Sequence, residues 1–184
     1  MAAPEPEAAS SPEAILTQGI VDVSSSLMGE TFSLNDTLRM ILEVIYRAKG
    51  FTRVLFCIKN AKKGTIEGRY GFGNDVNTII KSFSFPLGEL TDVFNMALSR
   101  DAEMIIHDIN DPRVKSLIPG WYRDLVREQT FLLLPISLKK VPIGLIYADK
   151  SYPGGINLPS PELSSLKHLR QMAQQAIQRS ISKT

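Results

Sequence analysis

The apolar positions of this chain change period several times, and each change marks the edge of an element. Over residues 12–28, Leu16, Ile20, Val23 and Leu27 recur at spacings of 4, 3 and 4, one narrow helical seam. Ser11-Pro12-Glu13 supplies an N-cap oxygen, a proline at the first helical position and an acid at the positive end of the helix dipole. Gly19 and Ser24 to Ser26 weaken this helix on propensity, so packing has to hold it. The seam suits a helix from a second copy and the chain's own domain equally well. Gly29 to Phe32 interrupt the pattern, and Ser33 with Asp36 makes a second capping pair. Leu34, Leu38, Ile41, Leu42, Ile45 and Ala48 then form a broader stripe that ends at Gly50, which predicts a core-facing helix over 34–48.

From Arg53 the period becomes two. Val54, Phe56 and Ile58 alternate with Arg53, Cys57 and Lys59, predicting a strand with one buried face. Residues 60–64 read as a turn, and Ile66, Gly68, Tyr70 and Phe72 as the return strand. There follow a short helix over 74–81, a brief strand over 82–86 with Phe83 and Phe85 on one face, and a helix over 91–99 with Leu90, Val93, Phe94 and Leu98 at helical spacing. A short strand over 103–107 leads into a loop over 108–120, rich in Asp, Pro and Arg, of a length that in compact domains is usually functional or mobile. After a short helix over 121–127 comes the strongest hairpin, 130–138 and 142–150, turning on Lys139 and Lys140. Its first strand is nearly continuous in apolar residues, which suits a central strand buried on both faces, and Pro142 belongs at the start of the second. Ser160-Pro161-Glu162 repeats the helix-start signal, and Leu163, Leu166, Leu169, Ala173, Ala176, Ile177 and Ile181 run along one face of a terminal helix. The predicted class is α+β, a six-stranded antiparallel sheet flanked by N- and C-terminal helices.

Composition narrows the possibilities. A chain of 184 residues with 43% apolar and 22% charged positions is one ordinary domain. Residues 1–10, made of Met, Ala, Pro, Glu and Ser, read as a flexible tail or linker, 11–30 as a signalling or dimerisation helix, and 31–184 as the domain itself. A net charge of +2 does not make the basic face that nucleic acid requires. The chain has neither the basic and apolar regions of a secretory signal nor an apolar run long enough for a membrane span. A single cysteine fits a reducing compartment, so the expectation is a cytoplasmic protein without a disulfide or a zinc site.

The residues that carry chemistry are few. Cys57 lies among Leu55, Phe56 and Ile58, where a thiol is more often structural than reactive. His107, beside Asp108, is a base or haem ligand only if a second group joins it, and His168 stands among Lys167 and Arg170 on the terminal helix, where a solvated position is the reading. Gly71-Phe72-Gly73 lacks the Lys-Ser/Thr partner of a phosphate loop, and neither Ser84 nor Ser137 sits in a nucleophile elbow. No catalytic constellation, metal set or cofactor is implied. One constellation remains: Asp108, Asp111, Arg113, Trp121, Tyr122 and Arg123, with Phe85, Phe94 and His107 near it in the predicted fold, has the rings and guanidinium groups that a small planar or anionic ligand needs. The competing reading is a loop held by its own Asp–Arg pairs, with Trp121 as a lid over the core.

TFLLLPISLKKVPIGLIYADK resembles the final hairpin of GAF domains, an apolar strand with an internal proline followed by a G-L-I-Y-A-D return. FSLNDTLRMILEVIYRAKGFTRVLFCI is similar to the GAF entry helix and first strand, and EMIIHDINDPRV to the strand and acidic loop bordering that family's ligand pocket. The resemblance spans about residues 31–181 and is nearest to the GAF-like region that follows HDOD domains in bacterial signalling proteins, given phrases such as GRYGFG, PGWYRD and FLLLPI. It implies a sensory or regulatory domain, without catalysis, that dimerises through Leu16, Ile20, Val23 and Leu27 and through Leu169, Ala173 and Ile177, with an HDOD neighbour on the N-terminal side and an unidentified small-molecule ligand. The N-K-F-D-E pattern of cyclic-nucleotide-binding GAF domains is missing, and so is a pocket cysteine for a bilin. Two alternatives stand beside this one: a structural module whose pocket is filled by Phe83, Phe85, Phe94 and Trp121, and a thiol or haem sensor using Cys57 or His107. Free-methionine-sulfoxide reductases share the fold but depend on several cysteines.

Overall fold

The computed structural model describes residues 11–89 and 91–182. The tail expected over 1–10 lies outside them, as does Leu90.

Helix α1 (Pro12–Met28) begins where the Ser11 hydroxyl accepts from the Ala14 amide at 3.1 Å. Helix α2 (Leu34–Lys49) begins at Ser33, whose side chain accepts from the Asp36 amide, and it ends at Gly50 in the left-handed region with φ of 60°. Strands β1 (Arg53–Asn60) and β2 (Thr65–Gly73) form the first hairpin, followed by α3 (Val76–Ser82), β3 (Ser84–Pro86), α4 (Val93–Arg100) and β4 (Met104–Ile106). A single 3-10 turn (Lys115–Leu117) interrupts the long loop before α5 (Gly120–Leu125). The second hairpin, β5 (Thr130–Leu138) and β6 (Val141–Lys150), then leads to α6 (Ser160–Ser182). The six strands pair antiparallel in the order β3-β2-β1-β6-β5-β4. Among the described residues no helix is long and apolar enough to cross a membrane.

The sheet is covered on both faces, and each covering layer has its own core. On one face α1, α2 and α6 pack Leu16, Ile41, Ile45 and Leu169 against Phe56, Leu134 and Ile146. On the other, α3, α4 and α5 pack Ile79, Phe94 and Tyr122 against Leu55, Phe131 and Tyr147. Because β1 lies between two strands and two layers, Arg53 to Cys57 are buried without a break, which corrects the single buried face expected from alternation. Ile58, expected inside, is 43% exposed at the turn end of the strand. Lys139 and Lys140 turn the second hairpin with φ of 50° and 65°, a conformation normally left to Asn and Gly.

The dimer seam expected of α1 is used within the chain. Leu16 and Val23 are fully buried and Leu27 nearly so, in the core shared with α2 and α6, and Ile20 is half-buried against it. Leu169 and Ala173 of α6 are fully buried in the same core and Ile177 is half-buried, so these side chains are spent on holding three helices of one copy together. Gly19 shows how closely α1 approaches α2. A Cβ there would sit 2.4 Å from a methyl of Val44, so the residue that weakens the helix on propensity is what lets the two backbones meet. At the far end of these helices Arg179 donates to the carbonyl oxygens of Leu27 and Gly29 and stacks 4.4 Å over the Phe32 ring, so the last turns of α6 close the end of α1.

Candidate functional site

Beneath α5, seven aromatic rings fill the space between the sheet and its second covering layer. Phe83 follows α3, Phe85 lies on β3, Phe94 on α4, Trp121 and Tyr122 on α5, Phe131 on β5 and Tyr147 on β6. The Trp121 ring lies 5.1 Å from Phe83, 5.5 Å from Phe85 in a near-parallel stack, and 4.9 Å from Phe94. Phe94 stacks in turn on Phe131 at 5.4 Å. These separations are those of rings in contact, so Trp121 sits as a lid on a floor of phenylalanines with no gap for a planar guest between them. Six of the seven are buried, and Trp121 keeps one side toward solvent.

A polar chain runs along one edge of this cluster. The Tyr122 hydroxyl lies 3.0 Å from that of Tyr147, which donates to Asp149 Oδ2 at 2.7 Å. Asp149 Oδ1 accepts from the Arg53 amide at 3.1 Å, and the Arg53 guanidinium lies 3.0 Å from Oδ2 through Nε and 2.6 Å from Glu128 through Nη2. The Nε ion pair is close, but its N–H is not aimed at the carboxylate. Asp149 is fully buried, and removal from water pushes its carboxyl up to about 7 against the opposing pull of Arg53 and Tyr147. The same burial raises the Tyr122 and Tyr147 phenols, while the neighbouring carboxylates keep the Arg53 guanidinium charged. The effect of this polar chain is to fasten α5 and the segment after it to the two central strands.

The residues expected to bind a ligand divide into two groups. Phe85, Phe94, Trp121 and Tyr122 meet in the ring cluster. His107, Asp108, Asp111, Arg113 and Arg123 do not join it. His107 is exposed at the end of β4, and Asp108 accepts from the Asn110 amide within its own turn. Arg113 forms a two-pronged pair with Asp111 at 3.1 and 2.7 Å, and that contact holds the Asp111 carboxyl down to about 2. Arg123 reaches back to the carbonyl oxygens of Ile109 and Lys115 and to the Asn110 side chain, pinning the loop over α5. Both guanidinium groups are thus engaged by groups of the loop itself. Cys57 is fully buried and its thiol is pushed far up by loss of water, so the thiolate that redox chemistry needs is suppressed. Among the described residues no three His, Cys, Asp or Glu side chains stand together as metal ligands.

Sequence reasoning passed over Arg53, Glu128, Tyr147 and Asp149. A signal for three of them was present: Arg53 is in phase with Leu55 and Cys57, and Asp149 with Leu145 and Tyr147. A charge in phase with buried positions on each of two strands is costly unless the two meet.

No family model matches the sequence, and no curated protein matches it. Solved structures do. The GAF domain of a phosphoenolpyruvate-protein phosphotransferase from Coxiella burnetii superposes with a TM-score of 0.72 at 12% identity, covering 93% of this chain and 97% of that one. The corresponding Acinetobacter domain gives 0.68 at 14% identity over 91% and 93%. A free methionine-R-sulfoxide reductase from Neisseria meningitidis, solved with its substrate, gives 0.70 at 15% identity over 96% of both chains. At these identities the likeness is one of fold, and the chain has the α+β GAF fold.

Proposed function

We propose that this chain is a non-catalytic regulatory module of a signalling protein, in which the space under α5 is occupied by the protein's own rings rather than by a ligand. The observation that carries this reading is the seating of Trp121 on Phe83, Phe85 and Phe94. It favours the structural alternative over small-molecule sensing, since a guest would have to displace an indole that already makes the contacts a guest would make. The buried Cys57 thiol speaks against the reductase chemistry of the Neisseria neighbour, which is the competing function within this fold. An HDOD neighbour on the N-terminal side belongs to the same proposal. Its homodimer uses the outward flank of α1, where Val21 and Met28 are 54% and 79% exposed, instead of the buried seam.

A thermal-shift screen of the whole chain with cyclic nucleotides, haem and small metabolites tests this, because any ligand that prefers the folded state raises the midpoint by mass action. No shift is expected with the wild-type protein. A concentration-dependent rise that disappears in Trp121→Ala would overturn the self-filled reading and restore the sensory one.

A further inference from the structure

Three oxygen-to-oxygen contacts run in series from the segment after α5 into the sheet. The Glu128 carbonyl oxygen lies 3.2 Å from the Tyr122 hydroxyl, that hydroxyl 3.0 Å from the one on Tyr147, and Tyr147 in turn 2.7 Å from Asp149 Oδ2. Each contact needs one hydrogen to be a bond rather than two lone pairs face to face. The two phenols bring two hydrogens. With Asp149 ionised, Tyr147 donates to the carboxylate, and Tyr122 serves either Tyr147 or the Glu128 carbonyl, so one contact goes without a hydrogen. A proton on Asp149 supplies the third. It points at Tyr147, Tyr147 turns to Tyr122, Tyr122 turns to the carbonyl, and all three contacts become bonds.

Counting charges leads to the same protonation state by a separate route. The Arg53 side chain, 5% exposed, lies 2.6 Å from Glu128 and 3.0 Å from the fully buried Asp149. With both carboxylates ionised the cluster keeps one uncompensated negative charge out of water, and with Asp149 neutral it is balanced. The guanidinium favours Glu128, since its Nη2 donates there and its Nε hydrogen is not aimed at Asp149. The titratable groups facing Asp149 are Arg53 from β1, Tyr147 on its own strand, Tyr122 from α5 and Glu128 from the segment between α5 and β5, while β5 places Phe131 opposite it. Loss of water holds the Asp149 carboxyl at about 7, which brings the exchange of this proton near neutral pH.

We propose that the proton on Asp149 is a latch for α5: when bound it completes the series and seats Trp121 on its rings, and when released it lets α5 lift from a sheet that stays folded. Arg123 binds carbonyl oxygens of the loop before α5, so loop and helix move together as one flap. The docked form holds the proton more tightly than an open form in which water reaches Asp149. Docking is therefore strongest in the acid range and weakens as pH rises through about 7. This inference rests on the reading of α5 as a lid over the protein's own rings, and gives that regulatory module a pH input.

Trp121 is the single tryptophan of the sequence, so its fluorescence reports the lid directly. Acrylamide quenching of the whole chain is measured from about pH 5 to about pH 9, with far-ultraviolet circular dichroism to show that the fold persists. The wild-type quenching constant is expected to rise about twofold or more across this range, as the loss of one buried hydrogen bond opens the flap more often. Asp149→Asn, whose amide always carries a hydrogen for Tyr147, is expected to keep the acid-range value throughout. Tyr122→Phe cuts the series at α5 and is expected to remove the pH step even though Asp149 still titrates, which its carboxyl carbon shift would show. A wild-type constant indifferent to pH would overturn the proposal. So would a step that survives in Asp149→Asn, or one that is undiminished in Tyr122→Phe. If Asp149→Asn does not fold, the wild-type protein and Tyr122→Phe decide the matter by themselves. Failure of the self-filled reading shows separately, as a melting midpoint that a ligand raises at fixed pH.

Discussion

The hydroxyl of Tyr122, on the helix that covers the ring cluster, lies 3.0 Å from the hydroxyl of Tyr147, on a central strand of the sheet. Both are fully buried, and each has a further partner: Tyr122 donates to the Glu128 carbonyl at 3.2 Å or to its neighbour, and Tyr147 donates to Asp149. A short covering helix of six residues cannot hold itself in place by its own hydrogen bonds, so this pair sets where α5 sits.

Replacing either tyrosine by phenylalanine removes a buried hydroxyl without removing the ring. Each single change is expected to cost about 1 kcal/mol in urea unfolding, and the double change less than the sum of the two, since the pair shares one bond. Strict additivity would show that the two hydroxyls act independently.

Asp149 makes the stability pH-dependent with a sign opposite to that of a surface carboxylate. Unfolded, it titrates near its ordinary 3.8, and folded near about 7. Between those values the folded state holds a proton that the unfolded state has released, so its contribution is full below the lower value and declines as pH rises through the window. Compared with Asp149→Asn, the wild-type protein should lose stability between about pH 4 and about pH 7, and the difference should be flat above it. Denaturation midpoints of the two proteins across this range measure the effect, and a constant difference would refute it.

Gly19→Ala places a methyl group inside the Val44 side chain, and the expected cost is about 2 kcal/mol despite the better helix propensity of alanine. Adding Val44→Ala should return part of the loss. A neutral or stabilising Gly19→Ala would mean that α1 does not approach α2 this closely.

Cys57 should resist Ellman's reagent in the folded protein and react at once in denaturant, because the thiol is both shielded and held protonated. Stoichiometric reaction under native conditions would reopen the thiol-sensor reading.

Most of the element order was legible because it rests on short-range rules. Ser11, Ser33 and Gly50 mark helix ends by local capping, and Lys139-Lys140 falls between two apolar runs that have nowhere else to turn. What the chain could not show from one segment at a time was which faces meet. The seam of Leu16, Val23 and Leu27 looks the same whether α6 or a second molecule covers it. Two sequence readings of the 108–123 segment survived for a similar reason, since the pairing of Arg113 with Asp111 and the reach of Arg123 to Ile109 depend on how the loop folds back. The buried charges were hidden differently. Arg53 and Asp149 stand 96 residues apart, so their phase with buried positions flags each charge alone, and only the β1–β6 register shows that the two meet.

Arg179 ties its own helix to carbonyl oxygens about 150 residues earlier, at the end of α1. The first and last helices of the fold therefore behave mechanically as one strut. A pull or twist applied along α6 loads α1 in shear through this clamp and through the core beneath it, instead of peeling one helix away turn by turn.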